Sequence, residues 1–315
     1  MMSEEPAVSV SSLGKRFGDV VALEGISFDV RRGELFGLIG PDGAGKTTLF
    51  RLLTTVQLPD SGTARVLGLD VVRDFRAIRA RIGYMPGRFS LYADLSVEEN
   101  LRFFASVFGT TVEAGARVIA PIYSQIARFA DRRAGALSGG MKQKLALCCA
   151  LVHLPELLLL DEPTTGVDAV SRREFWDLLE TLRADGLTIV ASTPYMDEAV
   201  RCERVALIQH GRILDVGDPR KIGARFDRPL FAVRGGDRVR LLRALRDHPH
   251  AHSVFPFGAD VHFTDARADL GANAAASELR RHLAAQGFAD AGVETIEPGI
   301  EDVFMALMQA APRAA

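Results

Sequence analysis

An apolar pentapeptide, Leu35-Phe36-Gly37-Leu38-Ile39, runs straight into Gly40-Pro41-Asp42-Gly43-Ala44-Gly45-Lys46-Thr47, and a helix-forming stretch from Thr47 to Thr54 follows. Few folds accept this order. A short run apolar at every position suits a strand buried on both faces. The glycines let the backbone turn tightly and leave its amides bare. The helix that opens there adds its positive end. Together they make a cradle for phosphate oxygens. Gly40 to Thr48 form the expected phosphate-binding set. Lys46 is placed to reach β- and γ-phosphates, and the Thr47 hydroxyl to ligate Mg²⁺.

A second buried run, Leu157-Leu158-Leu159-Leu160, ends in Asp161-Glu162. Ligands of such sheets bind beyond the carboxyl ends of strands. Asp161 is therefore expected to hold Mg²⁺, and Glu162 to orient or deprotonate an attacking water. Thr188 to Ala191 reads as a third buried strand, and Phe175 to Arg183 as a helix. Val8 to Val30 reads as short strands with turns at 17–19 and 24–25, and Tyr84 to Tyr92 as a loop. Ser96-Val97-Glu98-Glu99 is a capping box that opens a helix, with mainly helical chain from Leu95 to Ala136. Strands alternating with helices predict an α/β fold with a largely parallel sheet.

Leu137-Ser138-Gly139-Gly140-Met141-Lys142-Gln143-Lys144 reads on its own as a Ser-capped helix start, to about His153. Its glycines bare the first amides, which makes a second phosphate site. Here the chain resembles the ABC ATPase family, whose signature is LSGG-x-x-Q. The resemblance covers about residues 8 to 220. It implies a P-loop NTPase fold of ABC type that uses ATP and Mg²⁺. Residues 1–225 would form the nucleotide-binding domain, with a helical subdomain at about 88–153. Ser138, Gly139 and Gly140 would close on the ATP of another subunit, either an identical copy or an unequal companion ATPase. Phe17 would stack on adenine. Asp168 would communicate across the dimer, besides capping the helix after it.

Two positions depart from the family pattern. Gly87 stands where a Mg²⁺-linked glutamine is usual, and Pro194 where a histidine contacts the γ-phosphate. Hydrolysis at this chain's own site is therefore expected to be slow. Arg88-Phe89-Ser90-Leu91-Tyr92 matches the segment that receives a coupling helix from a membrane permease. Phe89, Leu91 and Tyr92 are its candidate lining residues. The run Glu297 to Met305 resembles the closing motif of export-type members.

The remaining features narrow the classes. A net charge of −2 gives no general pull toward nucleic acid. No apolar stretch approaches the ~18 residues of a membrane span, and the acidic start has no signal-peptide core. These features predict a cytoplasmic protein held at the inner face of the membrane by its permease. Cys148, Cys149 and Cys202 lack metal spacing and suit a reducing compartment. No heptad run separates Lys46 from Ser138, unlike DNA-repair members, and only one cassette is present, unlike ribosome-acting ones. Composition shifts near Pro219, so residues 226–315 are expected to form a small α+β domain. His248, His250, His252 and His262 there read as a solvated loop rather than a metal site.

Overall fold

The computed structural model describes residues 5–88, 90–226 and 228–310. Phe89 lies outside the described residues. The chain divides into two compact units at Pro219/Arg220.

The first unit opens with β1 (Val8–Phe17) and β2 (Val20–Val30), an antiparallel pair. The turn expected at 24–25 is absent. β2 runs through Gly25, whose φ of 64° accompanies register shifts against β1. Such a bulge takes one residue out of the ladder without ending the strand. β3 (Leu35–Ile39) is wholly buried and leads into α1 (Lys46–Leu53). β4 (Ser61–Val66) and β5 (Leu69–Asp70) complete a four-stranded antiparallel sheet ordered β2-β1-β4-β5.

α2 (Phe75–Arg81) runs into β6 (Ile82–Met85). Tyr84 and Met85, expected in a loop, are paired with Leu159 and Leu160. A four-residue strand with two non-aliphatic positions gives little local signal, and its partner supplies the rest. The helical stretch expected from 95 to 136 breaks into α3 (Val97–Val107), α4 (Val112–Tyr123) and short 3₁₀ turns. The predicted capping box is present: Ser96 Oγ accepts from Glu99 N at 3.2 Å, and Glu99 Oε2 accepts from Ser96 N at 2.7 Å. α5 (Gly139–Leu151) starts behind Ser138 as its N-cap.

β7 (Leu157–Asp161) is followed by α6 (Ala169–Ala184), which begins six residues before the expected start at Phe175. Asp168 explains the difference: its Oδ1 accepts from the amides of Val170 and Ser171 at 3.1 and 3.0 Å. β8 (Thr188–Thr193), α7 (Met196–Ala199), β9 (Arg204–Gln209) and β10 (Arg212–Gly217) follow. β9 and β10 form a hairpin turned at His210-Gly211, both at positive φ. That geometry matches the right-handed twist of the strands. The sheet order is β10-β9-β3-β8-β7-β6, parallel except for β10.

Leu49, Phe50 and Leu53 of α1 share one core with Val10 and Ile26 of the antiparallel sheet and with Phe36, Leu159 and Val190 of the parallel one. α6 adds its buried Phe175, Trp176 and Leu179. A parallel sheet needs both faces covered, and this arrangement leaves every residue of β3, β7 and β8 buried.

α8 (Pro219–Ile222) stands at the division between the units. The second unit contains β11 (Leu230–Arg234), α9 (Arg238–Arg246), β12 (Ala251–Phe257), β13 (Asp260–Asp265), α10 (Ala272–Ala285), β14 (Gly292–Ile296) and α11 (Ile300–Ala310). From β11 to β14 this is a βαββαβ unit with an antiparallel sheet ordered β12-β13-β11-β14. Of the four histidines expected in a solvated loop, His252 is exposed and His250 half-buried, but the other two are not solvated. His248 and His262 are each 7% exposed. His248 packs edge-on to Phe263, and His262 Nδ1 pairs with Asp302 Oδ1 at 2.6 Å. His262 alternates along β13 with the core residues Val261 and Phe263, so it lies on the opposite face of the sheet, and α11 supplies its partner.

Candidate functional site

The loop from Gly40 to Gly45 leaves the carboxyl end of β3 and enters α1. Gly40 N donates to Thr193 O at 3.3 Å, and Ala44 N to Pro41 O at 3.2 Å. Glycine is required at two points for different reasons. At Gly40 an added Cβ would stand 2.2 Å from Ile208 O. At Gly45 φ is 107°, and a Cβ would meet Ala22 O at 2.7 Å. The β9–β10 turn braces the loop from outside, with Gly211 N donating to Ala44 O at 3.0 Å. At Gly43, φ is 77° and an added Cβ would meet nothing within 4 Å, so the crest is open.

No side chain caps the N-terminus of α1. The first amides of a helix have no partner within it, so Lys46, Thr47 and Thr48 present theirs to whatever lies before the loop. Lys46 is 3% exposed. Its Nζ donates to Gly40 O and Pro41 O at 2.7 and 2.8 Å and stands 3.0 Å from Glu162 Oε1.

Asp161 ends β7 and is 1% exposed. Its Oδ1 accepts from Ser192 Oγ at 2.8 Å, and Ser192 lies opposite it on β8. Burial raises the Asp161 carboxyl above its ordinary range, and hydrogen bonds from Ser192 and Thr47 draw it back. A buried carboxylate beside a threonine hydroxyl and below unmet amides could hold Mg²⁺ together with phosphate oxygens. Glu162 has a φ of 52°, and its amide donates to Ser192 Oγ at 2.9 Å. Its Oε2 accepts from Thr165 Oγ1 at 3.3 Å. Held backbone strain of this kind concentrates at functional sites. Lys46, Thr47, Asp161 and Glu162 thus converge.

Gly87 reaches this cluster as well. A Cβ placed there would lie 2.9 Å from Asp161 O and 3.8 Å from Asp161 Oδ2. The backbone is thus where a magnesium-linked side chain would start, but it is packed too closely to carry one unchanged. Pro194 follows Thr193 at the end of β8 and offers neither imidazole nor amide proton.

Ser138, Gly139 and Gly140 form a second cluster. Ser138 Oγ accepts from Met141 N at 3.4 Å. A Cβ on Gly140 would stand 2.7 Å from Ser171 Oγ, and one on Gly139 would stand 3.7 Å from Gly166 O. The start of α5 therefore adjoins the first turn of α6 and its Asp168 cap. Phe17 closes β1 and is 45% exposed, and the Lys15 ammonium lies 5.5 Å from the ring centroid.

Sequence reasoning passed over Ser192, which holds both carboxylate positions. Its only signal is a hydroxyl at the end of a buried strand adjacent to β7. It also passed over Thr164, Arg172 and Glu198, which build a buried network nearby.

A hollow of about 590 Å³ opens between β6, the end of α3 and the end of α5. Leu91, Phe104, Val107, Phe108 and His153 are among its lining residues. Tyr92, expected beside Leu91, instead packs edge-on against Phe103 at 4.6 Å. Among the described residues no helix is long and apolar enough to cross a membrane.

Residues 23–165 match the family model described as ABC transporter. The chain is 38% identical to the probable multidrug ABC transporter ATP-binding protein YbhF of Escherichia coli (strain K12), over 96% of this chain and 52% of that protein. It therefore spans about half the length of that relative. It is 36% identical to the Nod factor export ATP-binding protein I of Rhizobium sp. (strain N33), over 96% of both chains. Among solved structures, cbiO1 of Clostridium perfringens, part of the ABC transporter complex cbiONQ, superposes with a TM-score of 0.62 at 27% identity. That match covers 70% of this chain and 92% of cbiO1. The chain belongs to the ABC transporter ATP-binding protein family.

Proposed function

We propose that this chain binds and hydrolyses ATP with Mg²⁺ to power export through a separate membrane permease, from the cytoplasmic face. The observation that carries this reading is the meeting of Lys46, Thr47, Asp161 and Glu162 at the uncapped start of α1. The Nod factor export relative, at 36% identity, supports the direction of transport.

The residues divide the work. The amides of 43–48 and the Lys46 ammonium would hold phosphate oxygens. Thr47 and Asp161 would hold Mg²⁺, which when bound lowers the charge on the phosphates. Glu162, fixed by Ser192 and Thr165, would orient water and accept its proton. Phe17 offers an exposed aromatic face for the adenine. Ser138, Gly139, Gly140 and Asp168 would meet the nucleotide of a second subunit, either another copy or an unequal companion ATPase. The apolar hollow beside Leu91 would seat a short amphipathic helix of the permease.

Turnover by the purified chain tests this. Mg²⁺-dependent ATP hydrolysis is expected, and Glu162→Gln should lower kcat about 10²–10⁴-fold. No hydrolysis in any preparation, permease included, would sink the ATPase. A second reading, an ATP-binding clamp with little turnover, is favoured by Gly87 and Pro194. It predicts tight binding and no dependence of the slow rate on Glu162.

A further inference from the structure

Glu198, on the short α7, is 4% exposed, yet its carboxylate is fully engaged. Thr164 Oγ1 donates to both oxygens, at 2.9 and 3.0 Å. Thr193 Oγ1 donates to Oε2 at 2.5 Å. Arg172 Nε stands 3.8 Å from Oε1, with its guanidinium stacked on Tyr195 at 4.4 Å. A carboxylate buried this deeply is costly unless its oxygens are met. Here three separate elements supply the partners.

Those partners lead in two directions. Thr193 ends β8 beside Pro194. Its carbonyl accepts from Gly40 N, the first residue of the phosphate loop, and its hydroxyl accepts from Tyr195 N at 3.0 Å. Thr164 belongs to the segment that runs from Glu162 to Asp168. Asp168 caps α6 through Ser171 N, and the Ser171 side chain abuts Gly140. Gly40, Thr193, Glu198 and Thr164 are thus joined by hydrogen bonds, the chain continues from Thr164 to Asp168 and Ser171, and Ser171 packs against Gly140 of α5.

We propose that Glu198 is a positioning residue of the ATPase. It ties the phosphate loop to the 164–168 segment, so that nucleotide at this chain's site sets the groups offered to a second subunit. Pro194 has no polar side-chain group or amide proton to report on the γ-phosphate. The strand end reports through the Thr193 hydroxyl instead. This inference rests on the nucleotide-binding reading above.

Hydrogen–deuterium exchange on the full chain tests it, with Mg²⁺ and the non-hydrolysable analogue AMP-PNP. In the wild type, AMP-PNP should protect the amides of both the 40–48 loop and the 164–168 segment. Glu198→Ala should bind AMP-PNP within about twofold of wild type and keep loop protection. It should lose most of the protection at 164–168. Thr164→Val should do the same. Glu198→Gln, which keeps an acceptor oxygen and adds a donor, should restore it. In turnover, kcat should fall at least tenfold in the Ala and Val variants with KM within twofold, and recover in the Gln variant. Equal protection at 164–168 in Glu198→Ala and wild type overturns the proposal. So does loss of loop and segment protection in equal proportion, the mark of a merely structural role. Wild-type chain that fails to bind AMP-PNP overturns the functional reading and this inference together. Binding without transmitted protection overturns this inference alone.

Discussion

The Lys46 ammonium lies 3.0 Å from Glu162 Oε1 while it also holds the carbonyls of Gly40 and Pro41. One cation therefore fastens the loop expected to take phosphates to the carboxylate expected to act on water. Binding and chemistry should separate on mutation. Lys46→Ala is expected to weaken Mg²⁺–ATP binding at least tenfold. Glu162→Gln should leave it within about twofold, because the amide keeps the shape and one acceptor. Titration calorimetry with both variants checks this.

Gly87 and Pro194 should respond differently to replacement by the usual family residues. A Cβ at position 87 meets Asp161 O at 2.9 Å, a backbone atom that cannot swing aside. Gly87→Gln should therefore destabilise by about 1–3 kcal/mol, read from denaturant midpoints. Pro194→His meets no such barrier on chemical grounds and returns a ring nitrogen and an amide. It should raise kcat several-fold at unchanged nucleotide affinity, measured by steady-state kinetics.

Gly140→Ala probes the second cluster. The new methyl would press on Ser171 at 2.7–2.8 Å and part the starts of α5 and α6. Nucleotide binding at the chain's own loop should stay within about twofold, and turnover should fall at least tenfold. Equal loss of both would show that these glycines serve the same chain's nucleotide.

His153 predicts a pH dependence. Its ring stacks on Phe108 at 3.7 Å, and Nε2 bonds Ile82 O at 3.0 Å. Burial depresses its basicity below the ordinary value, partly offset by that bond. His248 in the second unit is depressed for the same leading reason. A base depressed in the folded state binds its proton more tightly when unfolded. Its stability contribution is therefore full above the unfolded pKa of about 6.5 and is lost as pH falls below it. Melting temperatures should drop from pH 7 to pH 5, and His153→Gln should flatten part of that drop.

The strongly patterned elements were legible from residues alone. β3 and the Leu157–Leu160 run of β7 are apolar throughout, β8 carries the apolar run Ile189–Ala191, and the capping box at Ser96–Glu99 is written in the side chains that make it. Where a single side chain acts on its near neighbours, as Asp168 does, sequence shows the residue but not how far its effect runs. α6 consequently begins earlier than its apolar periodicity suggests. β6 and the βαββαβ order of the second unit were not legible, because short strands take their stability from partners far along the chain.

The amino-acid order by itself determined the phosphate loop, the two carboxylates at the end of β7, the signature-like helix start and the two departures at Gly87 and Pro194. These depend on local backbone freedom and on residue chemistry, which are present before folding. Only the tertiary structure decided that Ser192 holds Asp161, that Gly87 is packed against Asp161, and that Glu198 joins Thr164 to Thr193. Each of these joins residues on different elements, and burial makes an unmet polar atom costly enough to select that pairing.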